Sequence, residues 1–338
     1  MEQAEAYALI SALVAFAISL TLTGRWVHIA ELMGFTAKDM NKPGDVKAAR
    51  AGGVWSVVAV AFGLLTLSML NTYLGESCGP TDAILALSLQ LVLAAFLGLV
   101  DDLLGWKKGL RAIYRVILMA PLSIPMVVIK AGVSTVDLPV LGKVDLGLAY
   151  PLLLVPIGIL GAANAFNMLA GYNGLEASMG ALLLSFAAVY ASMKGLCLPA
   201  AAALIGAAGI VGFLVYNLYP ARAFPGNAFT YAVGAYYASV VILGNFEKFG
   251  VTLFALYFAE FALFVRGRLN GVYKENFGIP RQDGTLAPPY EGRVYSVTHL
   301  ALLILDKLTG HKVREPQVVA FIVALQIVVG IIALIVYL

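Results

Sequence analysis

The amino-acid sequence predicts an all-α polytopic membrane protein, with about ten transmembrane helices, a small external β-hairpin and polar loops gathered on the cytosolic side. Charged residues make up 12% of the 338 residues, whereas a soluble domain carries roughly 25%. Hydrophobic residues make up 61% of the chain, and the mean hydropathy is +0.90. This composition excludes a disordered chain and argues against a water-soluble globule. The net charge of +3 is too small to favour a nucleic-acid binder.

Ten apolar stretches have the length that a spanning helix needs, which is about 20 residues. They predict a single integral membrane domain over residues 1–338. Glu2 and Glu5 precede the first stretch where a signal peptide would carry basic residues, so we expect this stretch to remain as a span. The ten predicted spans are 7–23, 54–71, 83–100, 112–129, 146–163, 177–193, 196–218, 228–246, 249–265 and 317–338.

Two of these spans are less apolar than the others. The span 112–129 holds Arg115, and the span 249–265 holds Glu260. The stretch 296–308 is amphipathic, which favours a helix that lies along the membrane interface without crossing it.

Basic residues gather on one side of the predicted membrane. One set of loops, with Arg115 included at its edge, holds 18 of the 22 lysines and arginines. The positive-inside rule therefore predicts that this set is cytosolic and that both termini are outside. The predicted cytosolic loops, which we expect to carry the catalytic residues, are 24–53, 101–111, 164–176, 219–227 and 266–316.

The loops on the other side are short. Residues 133–147 read VSTVDLPVLGKVDLG, and their alternation predicts a β-hairpin with Pro139 and Gly142 in the turn. Cys78 and Cys197 are too few for a disulfide framework, and their spacing suits no zinc site. We therefore expect two inert thiols.

The first polar motif is GLVDDLLGWKKGLR, residues 98–111, in which an apolar span ends in Asp101 and Asp102. Neighbouring residues of a helix point about 100° apart, so the two carboxylates cannot share one role. One could bind a metal while the other takes a proton or orients the first. The alternative is a solvated helix end, although an acidic pair at a helix C-terminus opposes the macrodipole.

The second motif, residues 161–180, places Asn164, Asn167 and Asn173 beside Gly171 and Gly174. Asparagine amides both donate and accept hydrogen bonds, so they can read a uracil edge or bind a cation through oxygen. The alternative is a plain turn, because Asn-Gly is a turn dipeptide.

The third motif, NLYPARAFPGNAFTY, places Phe224 before a Pro-Gly turn and Asn227 at the start of the next span. An aromatic ring beside a turn can stack on a base, a contact worth about 1–3 kcal/mol in nucleic-acid binders. A membrane anchor at the interface explains Phe224 equally well.

The fourth motif is the basic loop that holds Arg266, Arg268, Lys274 and Arg281. Arginine forks match phosphate oxygens, so this loop could grip a pyrophosphate. For each residue alone, a positive-inside signal is the simpler interpretation.

Together the four motifs favour phosphoryl chemistry at the membrane surface, with a soluble phosphorylated substrate and a lipid acceptor. The available oxygen ligands suit Mg²⁺ or Mn²⁺. A transporter of an anionic solute is a distant alternative, because only Arg115 and Glu260 place ionisable groups within spans. A structural scaffold would not explain acidic and amide motifs on one face.

The motifs VDDLLGWKKG, NAFNMLAGYNGLEA and NLYPARAFPGNAFTYAVG follow one another in the order of the polyprenyl-phosphate N-acetylhexosamine-1-phosphate transferase superfamily, which the chain resembles over nearly its whole length. The LAGYNGLEA and YPARAFPG forms resemble most the archaeal and eukaryotic branch, the UDP-N-acetylglucosamine–dolichyl-phosphate N-acetylglucosaminephosphotransferases. The segments KDMNKP at 38–43 and AGGV at 51–54 also fit this branch.

The resemblance implies that N-acetylglucosamine-1-phosphate passes from UDP-GlcNAc to dolichyl or another polyprenyl phosphate, with release of UMP, as the first step of N-glycan assembly. A related donor sugar or polyprenol stays open, as does a phospho-aspartate intermediate. The resemblance also implies Mg²⁺ dependence, inhibition by tunicamycin and a homodimer. Compact loops favour an archaeal plasma membrane over the endoplasmic reticulum.

The resemblance further assigns roles to residues. Asp101 and Asp102 match the acidic pair beside the reacting phosphates, and Arg111 matches a phosphate-binding lysine. Asn167 matches a Mg²⁺ ligand. The residues expected to bind substrate are Asn173, which would read uracil, Phe224, which would stack on it, and Asn164, Glu176, Arg266, Arg268, Lys274 and Arg281.

Two positions depart from the family pattern. Asn227 stands where the family has a Mg²⁺-binding aspartate, so it keeps a carbonyl oxygen but lacks the negative charge. We expect weaker metal binding and low activity, whether the asparagine is engineered or natural. Arg50 stands in AAR where relatives often carry Pro-Glu, which puts the role of that loop in doubt.

Overall fold

The computed structural model describes residues 2–75, 78–104, 119–138 and 142–338. The prediction for Arg111, the first part of the predicted span 112–129 (residues 112–118) and the predicted turn residue Pro139 lie outside the described residues. The described chain is mostly helical, as the composition predicts. The α-helices are α1 (Glu2–Leu32), α2 (Val54–Leu74), α3 (Thr81–Leu104), α4 (Ile124–Val128), α5 (Val155–Met168), α6 (Leu175–Met193), α7 (Cys197–Asn217), α8 (Gly226–Leu243), α9 (Glu247–Leu253), α10 (Ala255–Leu269), α11 (Val297–Leu308) and α12 (Glu315–Tyr337).

Seven helices of the described chain are long and apolar enough to cross a membrane, and the bent pair α9 and α10 makes an eighth if it is one span. The seven are α1, α2, α3, the continuous helix Tyr150–Met168, α6, α7 and α12. Short helical turns stand before two helices, a 3₁₀ turn at Ala120–Ser123 and a π turn at Tyr150–Leu154. Helix α8 carries no charged residue and is buried along nearly all its length, because other helices surround it.

The predicted span 249–265 is wrong as one continuous helix, because α9 and α10 meet at a bend of 57°. The break at Phe254 frees backbone carbonyls that need partners in an apolar surrounding. The buried Gln326 of α12 supplies one, since its Nε2 donates to the carbonyl oxygen of Leu253 at 3.0 Å. Sequence periodicity carries no signal for such a partner on a distant helix.

Three antiparallel strand pairs are present among the described residues. The predicted hairpin is confirmed by β3 (Thr135–Leu138) and β4 (Gly142–Asp145). Gly142, which was predicted to lie in the turn, is the first residue of β4 and pairs with Leu138. The other strands are β1 (Thr36–Lys38), β2 (Lys47–Ala49), β5 (Ile279–Pro280) and β6 (Leu286–Ala287), with β1 paired to β2 and β5 to β6. A parallel bridge also joins Ala49 to Ala223, so that β2 holds the loop before α8.

Close helix packing sets the position of the loops at this end of the molecule. A Cβ atom at Gly98 of α3 would overlap the backbone of Asn227 and Ala228 at the start of α8. Gly234 of α8 likewise leaves room for the backbone of α5 at Ala162. Because Gly98 and Gly234 have no side chains, α3, α5 and α8 approach closely enough for their polar ends to meet.

Cys78 and Cys197 form a disulfide, so the prediction of two inert thiols is wrong. Their Cα atoms lie 5.3 Å apart although 119 residues separate them in sequence. The loop between α2 and α3 and the start of α7 meet at the same end of the bundle. Sequence spacing alone does not reveal that contact.

Candidate active site

A cavity of about 480 Å³ opens where α5 and α8 meet the β1–β2 connection and the segment after α10. We call it the polar cavity. It brings together six of the predicted site residues, namely Asn167, Asn173, Glu176, Phe224, Asn227 and Lys274. Its other polar lining residues are Lys38, Asp39, Asn217, Thr230, Glu275 and Asn276.

Asp101 lies beside this cavity at the end of α3 and is only 4% exposed. Its Oδ2 accepts hydrogen bonds from Asn227 Nδ2 at 3.0 Å and from the Tyr231 hydroxyl at 3.1 Å. Asn227 therefore acts here as a hydrogen-bond donor to a carboxylate, a role that an ionised aspartate could not fill.

Asp102 faces a different group, the N-terminus of α8. Its Oδ1 accepts from the backbone N–H of Asn227 at 2.9 Å, and its Oδ2 accepts from that of Ala228 at 3.1 Å. A carboxylate at a helix N-terminus satisfies free N–H groups and complements the macrodipole. Arg50 donates to the backbone carbonyl of Asp102 at 2.9 Å, which ties β2 to the same point. The two aspartates thus accept from different kinds of group, Asp101 from side chains and Asp102 from backbone N–H groups, as their angular offset predicts.

Asn167 ends α5 and faces the first turn of α8. Its Oδ1 accepts from the Thr230 hydroxyl at 2.7 Å, and its Nδ2 lies 3.4 Å from the Tyr231 hydroxyl. Tyr231 therefore touches both Asn167 and Asp101, and these contacts hold the ends of three helices together. Sequence reasoning did not identify Thr230 or Tyr231, because both lie inside an apolar span.

The oxygen atoms at this point fit a hard divalent cation such as Mg²⁺. Two aspartate carboxylates and the amide oxygens of Asn167 and Asn227 lie within one small hydrogen-bonded cluster. In the described part of the chain, no group of three or more His, Cys, Asp or Glu is arranged to hold a metal. A cation here would draw on amide oxygens and on substrate phosphates, as Mg²⁺ commonly does.

Asn173 lies in the cavity wall, where its amide is held by neighbours from distant segments. Its Nδ2 donates to Asp39 at 3.0 Å, and its Oδ1 accepts from the backbone N–H of Ala221 at 2.6 Å. Its backbone N–H donates to Glu315 at 2.7 Å. Lys42 pairs with both of these carboxylates. Sequence reasoning missed Asp39, Lys42 and Glu315, although KDMNKP contains the first two.

Phe224 lines the cavity beside the start of α8, as the resemblance requires for a ring that stacks on a base. Its backbone is fixed on both sides, because its N–H donates to Ala49 at 2.8 Å and its carbonyl accepts from Gly52 at 2.8 Å. The ring therefore has a firm support. Glu176 is buried at the start of α6, where its Oε1 accepts from the backbone N–H of Gly171 at 2.9 Å.

The four basic residues of the predicted pyrophosphate grip do not converge on the polar cavity. Only Lys274 lines it, and this ammonium donates to the buried carboxylate of Glu260 and to Asn276. Burial lowers the pKa of Lys274, against the opposing effect of Glu260. Arg266 and Arg268 are exposed, and Arg268 lies 3.9 Å over the Tyr273 ring.

Arg281 belongs to a separate cluster. Its guanidinium donates to the carbonyl of His311 at 2.7 Å and lies 3.9 Å from Asp306. Lys38, which sequence reasoning did not select, is exposed and lines the polar cavity. The cationic lining in the described chain therefore differs from the predicted one.

A second cavity of about 480 Å³ lies against the first and is almost wholly apolar. We call it the apolar cavity. Its walls come from α5, α8 and the bent pair α9 and α10, and Asn164 lies here instead of in the polar cavity. The Nδ2 of Asn164 donates to the Leu160 carbonyl at 2.9 Å. Met168 lines both cavities, so the two spaces lie next to each other at the end of α5.

Comparison with known protein sequences identifies the family of this chain. The sequence profile of glycosyl transferase family 4 matches residues 84–245. A protein of Sulfolobus acidocaldarius, provisionally named a UDP-N-acetylglucosamine–dolichyl-phosphate N-acetylglucosaminephosphotransferase, is 32% identical over 330 residues, which cover 97% of this chain and 95% of that protein.

More distant relatives point to the same chemistry. The UDP-N-acetylglucosamine–dolichyl-phosphate N-acetylglucosaminephosphotransferase of Dictyostelium discoideum is 27% identical over 336 residues, covering 86% of this chain and 78% of that one. A phospho-N-acetylmuramoyl-pentapeptide-transferase of Clostridium botulinum is 24% identical over 257 residues, covering 73% of this chain and 77% of its own. The chain therefore belongs to glycosyl transferase family 4 and is an integral membrane transferase.

Proposed function

We propose that this chain transfers N-acetylglucosamine-1-phosphate from UDP-GlcNAc to dolichyl or another polyprenyl phosphate and releases UMP. The observation that carries the proposal is that the two cavities are adjacent, with Met168 lining both. A polar cavity with amide and carboxylate groups suits a nucleotide sugar, and an adjoining apolar cavity suits a prenyl chain. The names of the relatives supply the donor and acceptor classes.

The reaction is a displacement at phosphorus. An oxygen of the lipid phosphate attacks the β-phosphorus of the donor, the bond to the bridging oxygen breaks, and UMP leaves with the bonding electron pair. Asp102 holds the start of α8 in place, and the carboxylate of its neighbour Asp101 lies beside the cavity. Phe224 and Asn173 orient the nucleotide, so the chain contributes mainly by positioning. A route through a phospho-aspartate would instead require Asp101 as nucleophile.

We further propose that Mg²⁺ is the cofactor, with Mn²⁺ as a substitute. Asn167, Asn227 and Asp101 would hold it, together with phosphate oxygens of the donor. When bound, the cation supplies charge neutralisation on the leaving phosphate. Asn227 offers an amide oxygen without a negative charge, which supports weak binding and low activity of this chain.

The orientation is also part of the proposal. Ten spans with both termini outside would place the polar cavity in the cytosol, where nucleotide sugars occur. The disulfide supports this orientation, because disulfides persist in oxidising compartments. Cys78 lies in a loop predicted to be outside, and Cys197 lies at the predicted outer end of the span 196–218. We propose an archaeal plasma membrane as the location and a homodimer as the assembly.

The direct test is transfer from radiolabelled UDP-GlcNAc to dolichyl phosphate, with the purified chain and Mg²⁺. We expect labelled lipid and UMP in equal amounts, with inhibition by tunicamycin. Labelled lipid that forms in the presence of tunicamycin would count against the family mechanism. A scan of other UDP-sugars and polyprenyl phosphates under the same conditions identifies the true donor and acceptor.

A further inference from the structure

Three side chains surround the ammonium group of Lys42 beside the polar cavity. Its Nζ lies 2.6 Å from Asp39 Oδ2, 2.9 Å from Glu315 Oε2 and 3.2 Å from Asn173 Oδ1. An ammonium has three N–H donors, so each donor has an acceptor in this cluster. The Lys42 side chain is 12% exposed, and both carboxylates are more buried still. We call these four residues the Lys42 cluster.

The cluster leaves the Asn173 amide only one free position. A primary amide has two N–H donors and two acceptor positions on oxygen. The Oδ1 accepts from Lys42 and from the backbone N–H of Ala221, and the Nδ2 donates once to Asp39. One N–H remains, and Asn173 lines the polar cavity. A flipped amide would set its N–H groups against the N–H of Ala221 and the ammonium of Lys42, so its orientation is fixed.

A fixed N–H donor favours a partner that presents a carbonyl oxygen. Uracil carries a carbonyl at the ring position where cytosine carries an amino group, and an amino group cannot accept this hydrogen bond. We propose that Lys42 is a positioning residue that fixes the Asn173 amide and thereby sets a preference for uracil over cytosine. This inference rests on the proposed function, because it takes a uridine nucleotide as the occupant of the polar cavity.

Because the Lys42 cluster holds buried charges of both signs, a variant that tests the role of Lys42 must keep those charges balanced. Burial disfavours the charged lysine, but the hydrogen bonds and charges of Asp39 and Glu315 outweigh burial and raise the pKa of Lys42. The ammonium thus offsets one of two buried carboxylates. Lys42→Met alone would leave both unpaired, which is strongly destabilising in a buried site. The double variant Lys42→Met/Glu315→Gln removes one charge of each sign and avoids that problem.

The experiment measures UMP and CMP binding by calorimetry to the full chain in detergent. Wild type is compared with the double variant and with Lys42→Arg. The matched control is Lys47→Met, because Lys47 pairs with Asp45 at 2.9 Å on the surface, where the two side chains are 51% and 69% exposed. We expect the ratio of the CMP to UMP dissociation constants to fall about tenfold in the double variant, the value of one ordinary hydrogen bond.

Lys42→Arg should keep most of the preference, and Lys47→Met should keep all of it. An unchanged ratio in the double variant overturns the inference, including the case in which both nucleotides bind more weakly by the same factor. Failure of the wild type to bind UMP at all overturns the proposed function instead. Thermal melting of each variant verifies that the compared proteins are folded.

Discussion

Asn227→Asp is the substitution that most directly probes the metal site. In the present structure, Asn227 Nδ2 donates to Asp101 Oδ2 at 3.0 Å. Aspartate would replace this donor by a second carboxylate. Two unit charges about 4 Å apart repel by about 4 kcal/mol at an effective dielectric constant of about 20. Uptake of a proton by the pair reduces this cost, so we expect a net destabilisation of about 2–4 kcal/mol without metal.

A divalent cation between the two carboxylates would reverse this effect. A ligand at about 100 times its dissociation constant stabilises the folded state by about 2.7 kcal/mol. The assay compares melting temperatures in detergent with EDTA and with saturating MgCl₂. We expect Asn227→Asp to melt several degrees below wild type in EDTA and to recover with Mg²⁺, while wild type responds less. UMP release should be faster in the variant with Mg²⁺.

Two controls separate charge from packing. Asn227→Ala removes the donor to Asp101 without adding charge, so it should lose stability and show no added response to Mg²⁺. Asn270→Asp adds the same charge at an exposed position and should change neither quantity. If Asn227→Asp responds to Mg²⁺ no more than wild type and releases UMP no faster, position 227 does not limit metal binding or catalysis.

Three further outcomes follow from the fold. Gly98→Ala should lower stability by about 1–3 kcal/mol and reduce activity, because the added Cβ would overlap the start of α8. In the control Gly267→Ala, the added Cβ would have its nearest contact at 3.5 Å, so we expect neither effect. Burial lowers the pKa of His299 to about 4, so its contribution to stability is fully present above the unfolded pKa near 6.5. Stability should fall by up to about 3 kcal/mol as the pH drops from 6.5 to 4. The melting temperature of His299→Gln should depend less steeply on pH than that of wild type, and an equal dependence would contradict this. Removing the disulfide with Cys78→Ser/Cys197→Ser should cost about 2–4 kcal/mol, seen as lower melting temperature, while transfer activity survives; lost activity in the folded variant would show that the bond shapes the active site.

The membrane helices were predictable because burial in lipid demands long apolar runs, which hydropathy detects directly. Helices α2, α6 and α12 begin and end within a few residues of the predicted spans. The break between α9 and α10 was not predictable in the same way. Its stability depends on Gln326, a residue 73 positions away from the carbonyl that it satisfies. Long-range partners of this kind leave no local pattern.

The candidate site, too, was predictable from the sequence only in part. The acidic pair, three of the four predicted asparagines and Phe224 stand in short motifs, and the structure brings them to the polar cavity or beside it, whereas Asn164 lines the apolar cavity. The basic residues were poor indicators of the site, because a lysine or arginine near a membrane can serve to set the topology and need not bind substrate. Arg281 illustrates this, since its partners are Asp306 and His311 in a separate cluster. Glu315 was overlooked because it starts an apolar helix.

The neutral side chain at position 227 affects the total charge of the polar cavity, and therefore how the cavity binds a charged donor. Among the described lining residues, the cations are Lys38 and Lys274, and the buried carboxylate of Glu260 offsets the second. A diphosphate brings several negative charges into this space beside Asp101. We expect a bound cation to supply the remaining compensation. Compared with an aspartate at this position, Asn227 should bind a cation more weakly, and it also places less negative charge beside the incoming donor. A chain with this asparagine should depend less on Mg²⁺ for binding the nucleotide than for the transfer step, because only transfer builds up charge on the leaving phosphate.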